Sequence, residues 1–382
     1  MKKVYLNNAA TSYPKPISVL TAVNEYLSKP PFHSARAGFE NVDNDITTEC
    51  RNRLAKLFNV NDANRIIFTS GSTESLNLAI LGSEFNNAHI ITTNTEHNSV
   101  LRPLKTLERE KRISLSIVAS DTCGSVSPDD IEKEINSKTS AIVINHASNV
   151  TGIVQDLKSI SEIANKYNLR FIVDASQSAG VIDIDFTGLN IDLLAFTGHK
   201  SLFGLQGIGG LIIKEGITLK PIKFGGTGIR SDYLYQPEDL PLFYEAGTPN
   251  MPGIVSLNEG CKYIEKTGMI SIANHKKELT GLIRNSIDEL PSVRVLDLSE
   301  KNNLAIINLM FYDFEPEDAS YILEQSFGIV TRSGLHCAPL IHISIGSNPL
   351  GTVRISPSHF NTIDDIQYLI DSIKIICEGR GF

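Results

Sequence analysis

The chain has 382 residues, 41% hydrophobic and 20% charged, with no tryptophan and a formal net charge of −8. That length accommodates one large and one smaller domain with ample core. The acidic balance disfavours nucleic acid or an anionic membrane as the main partner, and no apolar run approaches the roughly 18 residues of a membrane span.

The opening stretch, Met1-Lys2-Lys3-Val4-Tyr5-Leu6-Asn7-Asn8, turns polar before a secretory core can form, which predicts a cytoplasmic protein. From about residue 65 to 214, short apolar runs alternate with helix-like stretches. The runs at 65–69, 89–93, 115–119, 141–145, 170–174, 193–197 and 208–214 are mostly rich in isoleucine and valine with little polar alternation, as in strands covered on both faces. Segments 74–81, 100–112, 128–135 and 157–167 are long enough for crossover helices. The pattern predicts a doubly wound α/β fold with a mostly parallel seven-stranded sheet, in which ligands bind at the carboxyl ends of the strands.

Past Gly253 the texture changes. Helical stretches over 254–266 and 270–290 precede apolar runs at 293–296, 305–311, 328–332 and 352–356. Thr362 is a candidate N-cap for a last helix, with Asp364 and Asp365 in its first turn and Ile363, Ile366, Ile370 and Ile373 at helical spacing. The expected division is a large domain over 15–253 and a smaller α+β domain formed by 254–382, with 1–14 packed back onto it.

The five cysteines are odd in number and dispersed, without a CxxC pair, so neither a disulfide framework nor a metal site is expected. Cys50, Cys261 and Cys377 lie among apolar neighbours and read as core residues. Cys123 sits in the turn Asp121-Thr122-Cys123-Gly124. Cys337 differs, because Arg332-Ser333-Gly334-Leu335-His336-Cys337-Ala338-Pro339 is a loop, where a thiol beside a cation can be a nucleophile.

Other chemistry-bearing residues fall at strand ends. Phe68-Thr69-Ser70-Gly71-Ser72-Thr73 is a strand, a small-residue turn and a helix start, suited to cradling a phosphate through backbone N–H groups and the Ser72 and Thr73 hydroxyls. His97 could stack on a planar ring and move protons, and Asn149 could bond a phenolic oxygen. Asp174 ends its strand, with Gln177 three residues on. Lys200 closes Phe196-Thr197-Gly198-His199-Lys200 at the mouth of a buried run, where desolvation lowers an amine's pKa and makes it nucleophilic toward an aldehyde. Thr197 and His199 offer further phosphate donors, and Arg354, alone in an apolar run, suits a carboxylate. A lysine of this kind is by itself more often an ordinary surface residue. Together with Asp174 it points to pyridoxal phosphate (PLP), whose pyridinium nitrogen needs a carboxylate partner.

In this ordered set the chain resembles the class V aminotransferases, and within them the cysteine desulfurase and selenocysteine lyase group, nearly end to end, from Tyr5-Leu6-Asn7-Asn8-Ala9-Ala10 to Phe360-Asn361-Thr362. The resemblance implies the type I PLP-enzyme fold and a homodimer with active sites at the subunit interface. It makes Lys200 similar to the Schiff-base lysine, Asp174 to the pyridine-nitrogen partner, and Asn149 and Gln177 to the residues near the phenolic oxygen. His97 resembles the ring-stacking histidine, and Ser72, Thr73, Thr197 and His199 the phosphate contacts. Thr248 resembles the threonine reaching the neighbouring subunit's phosphate. Arg354 looks like the substrate-carboxylate arginine, Ala9 and Ala10 like pocket-lining residues, and Cys337 like the persulfide-forming nucleophile. The implied activity converts L-cysteine to L-alanine and passes sulfur to an acceptor protein. L-selenocysteine lysis, transamination and other C–S lysis are the alternatives on the same scaffold. The Arg-Ser-Gly-Leu-His-Cys form is closer to the group II desulfurases. Two departures stand out: Asn7-Asn8 replaces an Asp-containing pair common in relatives, and Ala338-Pro339-Leu340-Ile341-His342 carries no motif that names an acceptor.

Overall fold

The apolar runs form strands whose residues are buried on both faces at Ile66–Thr69, Ala88–Thr93, Leu193–Thr197 and Gly209–Ile213, where apolar cover lies above and below. The computed structural model describes residues 2–30, 45–228, 232–287, 290–296 and 303–379. In chain order come β1 (Val4–Tyr5), α1 (Ile17–Leu27), α2 (Ile46–Phe58), β2 (Ile66–Thr69), α3 (Ser72–Leu81), β3 (Ala88–Thr93), α4 (Asn98–Arg109) and β4 (Ile113–Val118). There follow α5 (Pro128–Lys133), β5 (Thr139–Asn145), α6 (Leu157–Lys166), β6 (Arg170–Asp174), β7 (Leu193–Thr197) and β8 (Gly209–Ile213). Strands β2 to β8 make a seven-stranded sheet of order β2-β8-β7-β6-β5-β3-β4. It is parallel except for β8, which runs antiparallel to both β2 and β7.

Alternate residues of the central strands feed opposite apolar clusters, which is why these runs show no polar alternation. Ile142, Ile144, Phe171, Val173, Leu194 and Phe196 pack on one side with α2 and α6. Ala141, Val143, Ile172, Leu193 and Ala195 pack on the other with α3 and α4.

The rest of the chain builds α7 (Met251–Thr267), α8 (Met269–Ile287), β9 (Val293–Val295), β10 (Ile307–Phe311), α9 (Pro316–Phe327) and β11 (Ile329–Val330). It ends with β12 (Arg332–Gly334), α10 (Ile341–Ser344), β13 (Thr352–Ile355) and α11 (Ile363–Cys377). The expected helix over 270–290 is described as far as Ile287; positions 288–289 lie outside the described residues. Helix α7 sends Ile254, Leu257, Cys261 and Ile264 into the cluster under the large sheet, whereas a separate core gathers Leu279, Ile283, Leu309, Val353, Ile355 and Ile370. That second core lies on an antiparallel four-stranded sheet of order β12-β13-β10-β9. Strand β1 pairs in parallel with β11, and Asn7 bridges to Ser356, so the N-terminal residues pack against the C-terminal part of the chain.

The single run expected over 328–332 is two strands, split at Thr331 and joined to different sheets. Ile329 buries beside β1, while Arg332 lies next to Arg354 on β13 and faces solvent-accessible space. Thr362 caps α11 as expected, through a reciprocal box in which its hydroxyl accepts from the Asp365 N–H and the Asp365 carboxylate accepts from the Thr362 N–H.

Candidate active site

A cavity of about 320 Å³ opens at the carboxyl ends of β2, β5, β6 and β7. Of the residues singled out in the sequence, Ala9, Ala10, Ser72, Thr73, His97, Asn149, Asp174, Gln177, Thr197, His199, Lys200 and Arg354 all line it. Cys337 stands exposed beside it, directly after the lining residue His336. Thr248 is exposed and does not line this cavity.

One end of the cavity is built for an anion. Gly71 leads into α3 with no described side chain capping the helix, and residues 70–74 line the cavity, so the first-turn N–H groups are left for a ligand. The turn is held against β8, where a Cβ on Gly209 would come within 2.7 Å of the Gly71 Cα and 2.6 Å of the Phe196 carbonyl oxygen. His199 adds a buried Nδ1 that has no hydrogen-bond partner among the described residues.

At the centre, β6 delivers Asp174, which is 4% exposed. Its Oδ1 accepts from the Ser176 backbone N–H at 2.8 Å, from the Ser176 hydroxyl, and from Ser72 Oγ at 3.4 Å. Lys200 leaves the end of β7, and its amine has no hydrogen-bond acceptor among the described residues. Burial pulls its pKa down to about 8, Asp174 opposes that fall, and Arg354 and Arg332 reinforce it. His97 caps α4: its Nδ1 accepts from the Ser99 N–H at 3.1 Å, which leaves the ring proton on Nε2. Burial and the nearby Lys200 lower its pKa to about 4, so the ring is neutral at physiological pH. Gln177 Nε2 donates to the Ala9 carbonyl at 3.0 Å, tying the N-terminal segment over the cavity.

The opposite wall comes from the smaller sheet. Arg354, 1% exposed on β13, donates from Nη1 to the Asn149 carbonyl at 2.7 Å and from Nη2 to Asn7 Oδ1 at 3.1 Å. No described carboxylate pairs with it. Asn7 gives a neutral oxygen where an aspartate would have matched the charge, so the guanidinium remains available to an incoming carboxylate. Arg332 Nη2 donates to Cys337 Sγ at 3.3 Å, placing a cation on the thiol.

Ser176, Gln206 and Gly207 also line the cavity and were not singled out in the sequence. Ser176 had a usable signal, a hydroxyl between Asp174 and Gln177; Gln206 sits in a loop whose pattern offered none. Among the described residues no cluster of three or more His, Cys, Asp or Glu side chains is arranged for a metal ion, and no helix is long and apolar enough to cross a membrane.

An uncapped helix turn, a strand-end carboxylate and a buried amine, set on a mixed seven-stranded sheet, define an enzyme of the kind that binds a phosphorylated aldehyde cofactor. The chain belongs to the class-V aminotransferase family, which it matches over residues 4–369. That family is PLP-dependent. It is similar to a protein named "probable cysteine desulfurase" from Methanothermobacter thermautotrophicus, 30% identical over 99% of this chain and 95% of that one. A protein of the same name from Borreliella burgdorferi is 34% identical over 97% and 91% of the two chains. Among solved structures, the apo cysteine desulfurase of Thermococcus onnurineus superposes with a TM-score of 0.90 at 31% identity, covering 99% of this chain and 95% of that one. The cysteine desulfurase CsdA of Escherichia coli, in an S-sulfonic acid form, gives 0.88 at 25% identity, covering 98% and 95%.

Proposed function

We propose that the protein is a PLP-dependent cysteine desulfurase that converts L-cysteine to L-alanine and leaves the sulfur as a persulfide on Cys337. The observation that carries this reading is the exposed Cys337 thiol, bonded to Arg332, on a loop whose preceding residue lines the cavity of Lys200 and Arg354. The names of the relatives point the same way.

In this reading the α3 N-terminus, Ser72, Thr73, Thr197 and His199 would hold the cofactor's phosphate, Asp174 would pair with its ring nitrogen, and Asn149 and Gln177 would bond its phenolic oxygen. His97 would stack on the ring. Bound there through Lys200, PLP supplies an electron sink for charge developing on the substrate's α-carbon. Arg354 orients the substrate carboxylate. Lys200 is placed to take the substrate's α-proton, and the burial that lowers its pKa to about 8 in the cofactor-free protein favours the neutral amine this needs. His97 offers Nε2–H as a proton donor. The Cys337 thiolate attacks the substrate sulfur: the S–S bond forms, the C–S bond breaks, and its electron pair goes to the carbon that becomes the alanine methyl group. Cysteine and the protein thiol thus become alanine and protein persulfide, with no outside reductant until the sulfur moves to an acceptor protein.

We further infer a homodimer. Phe224, Leu234 and Tyr235 are 67%, 94% and 76% exposed in the segment leading to Thr248, a surface suited to a second copy. A monomer at micromolar concentration that turns over at full rate would overturn the dimer.

Cys337→Ala tests the desulfurase. It should retain cofactor absorbance and L-cysteine binding while losing alanine formation from L-cysteine by about 10³-fold. One turnover of the wild type without reductant should add one sulfur to the peptide containing Cys337. Full activity in the alanine variant, or sulfur on another cysteine, would sink the reading. Assaying L-selenocysteine in parallel separates a desulfurase from a selenocysteine lyase, whose leaving group departs more readily without the thiol.

A further inference from the structure

A closed chain of hydrogen bonds lies behind Cys337, and the chemistry above uses none of its members except Asn149. Asn308 in β10 and Thr352 in β13 are polar side chains of 0% exposure in strands that are otherwise mostly apolar. Such groups are costly to bury unless fully bonded, and here the bonds have a fixed direction. Asn308 Nδ2 donates to the Val150 carbonyl at 2.6 Å, so its Oδ1 is the acceptor that takes the Thr352 hydroxyl proton, also at 2.6 Å. Having given its own proton, Thr352 Oγ1 accepts from His336 Nε2 at 2.9 Å. The neutral His336 ring therefore carries its proton on Nε2, and its buried Nδ1 is bare. Asn149 Nδ2 closes the chain by donating to the His336 carbonyl at 2.7 Å, one residue from where it began.

His336 is thus gripped at both its ring and its carbonyl, and the Asn98 N–H bonds the Cys337 carbonyl at 2.8 Å. Both residues need such a grip, because their φ angles are +50° and +62°, in the left-handed region that side-chain-bearing residues disfavour.

Resting on the sulfur-transfer reading, we propose that Thr352 and Asn308 are positioning residues: through His336 they lock the Cys337 backbone in its left-handed turn, with the thiol beside Arg332 at the cavity rim.

The test compares PLP-loaded wild type with Thr352→Val, which keeps the shape and removes the hydroxyl, and Thr352→Ser, which keeps the hydroxyl. Amide hydrogen exchange in the peptide spanning 335–340 should accelerate at least about tenfold in the valine variant and stay within about twofold in the serine variant. Single-turnover alanine formation should slow about tenfold or more in the valine variant, while KM for L-cysteine changes less than about threefold, because Lys200 and Arg354 are untouched. Serine should restore the rate. Unchanged exchange in the valine variant, equal impairment of both variants, or a KM that rises with the loss of rate would overturn the proposal; the last would mean that the damage travels through Arg354. Should the valine variant not fold, His336→Gln and His336→Leu ask the same question from the other end. The glutamine nitrogen can donate to Thr352 and should preserve slow exchange, whereas leucine cannot; equal exchange in the two would overturn the lock. A wild type that makes no alanine from L-cysteine would defeat the desulfurase reading, while the exchange comparison would still decide whether the lock exists.

Discussion

The two walls of the cavity are made differently. The wall on the seven-stranded sheet takes Asp174, Lys200 and the 70–74 turn from the ends of strands in one continuous sheet, so each position is fixed by backbone already committed to it. The wall on the smaller sheet joins Asn7, Asn149, Arg332, His336 and Arg354, which are up to 347 residues apart in sequence and held by side-chain hydrogen bonds. Burial sets the chemistry of the first wall, lowering Lys200 and His97. The second keeps one sulfur exposed. In the proposed reading, the division suits a cofactor that stays and a sulfur atom that must leave.

Lys200→Ala is the harshest test of this contrast. It should remove the cofactor-linked absorbance and lower turnover by at least about 10⁴-fold, without changing the far-ultraviolet circular dichroism. Borohydride reduction of wild type followed by peptide mapping should place the label on Lys200. Label on any other lysine would mean that the large-sheet wall does not hold the reactive carbon.

Arg354→Lys probes the opposite wall. A lysine keeps the charge but offers it from one nitrogen, without the fork by which Nη1 and Nη2 reach the Asn149 carbonyl and Asn7 Oδ1 separately and present a planar edge to a carboxylate. The expected loss is about 100-fold in kcat/KM for L-cysteine, carried mainly by KM, with cofactor affinity nearly unchanged. A fall in kcat alone would show that Arg354 acts on the chemistry and not on the carboxylate.

The difference between the walls also explains what the sequence could show. Strand-end motifs are local: an apolar run followed by Asp174, or by Gly198-His199-Lys200, exposes both the strand and the functional residue in one window. The large sheet and its site residues were therefore readable. The antiparallel course of β8 was not, since a fully buried strand looks the same in either direction. Nor was the split at Thr331, which depends on partners more than 300 residues away in one case and about 20 in the other. Asn308 lay unremarked inside an apolar run, because its worth depends on Thr352 and Val150, which no local pattern connects.

Burying an amine should also cost the empty protein stability. Lys200 titrates near 8 when folded, against 10.5 as the ordinary value. Below about pH 8 both folded and unfolded states hold the proton, and the native state carries the full cost of a buried ammonium. Between pH 8 and 10.5 the unfolded state binds more protons, so stability rises with pH. Lys200→Met should therefore stabilise the cofactor-free protein by about 2 kcal/mol at pH 7, with the advantage over wild type shrinking toward pH 10.5. Urea unfolding at pH 7, 9 and 10.5 measures it. A methionine variant less stable than wild type at pH 7 would show that the amine is well solvated within the cavity.

Glu96 gives the smallest and sharpest effect, because it asks whether the first wall is neutral beneath its surface. The side chain is fully buried next to His97; its Oε1 accepts from Thr93 Oγ1 at 2.7 Å and from the Asn145 N–H at 3.0 Å, while Oε2 has no hydrogen-bond partner among the described residues. Burial raises its pKa from 4.5 to about 8, and the nearby Asp174 adds to the rise. Between those values the native state holds a proton that the unfolded state has lost, so the contribution of Glu96 to stability falls as pH climbs through this window. Glutamine offers the same Oε1 acceptor and carries no charge at any pH. Glu96→Gln should match wild type within about 0.5 kcal/mol at pH 5 and exceed it by about 1–2 kcal/mol at pH 9, where the wild-type carboxylate is forced to ionise without solvent. Urea unfolding at the two pH values reads the difference directly. If the difference between glutamine and wild type were instead the same at pH 5 and pH 9, Glu96 would be a carboxylate in the folded protein across that range, and the wall beneath His97 would be charged.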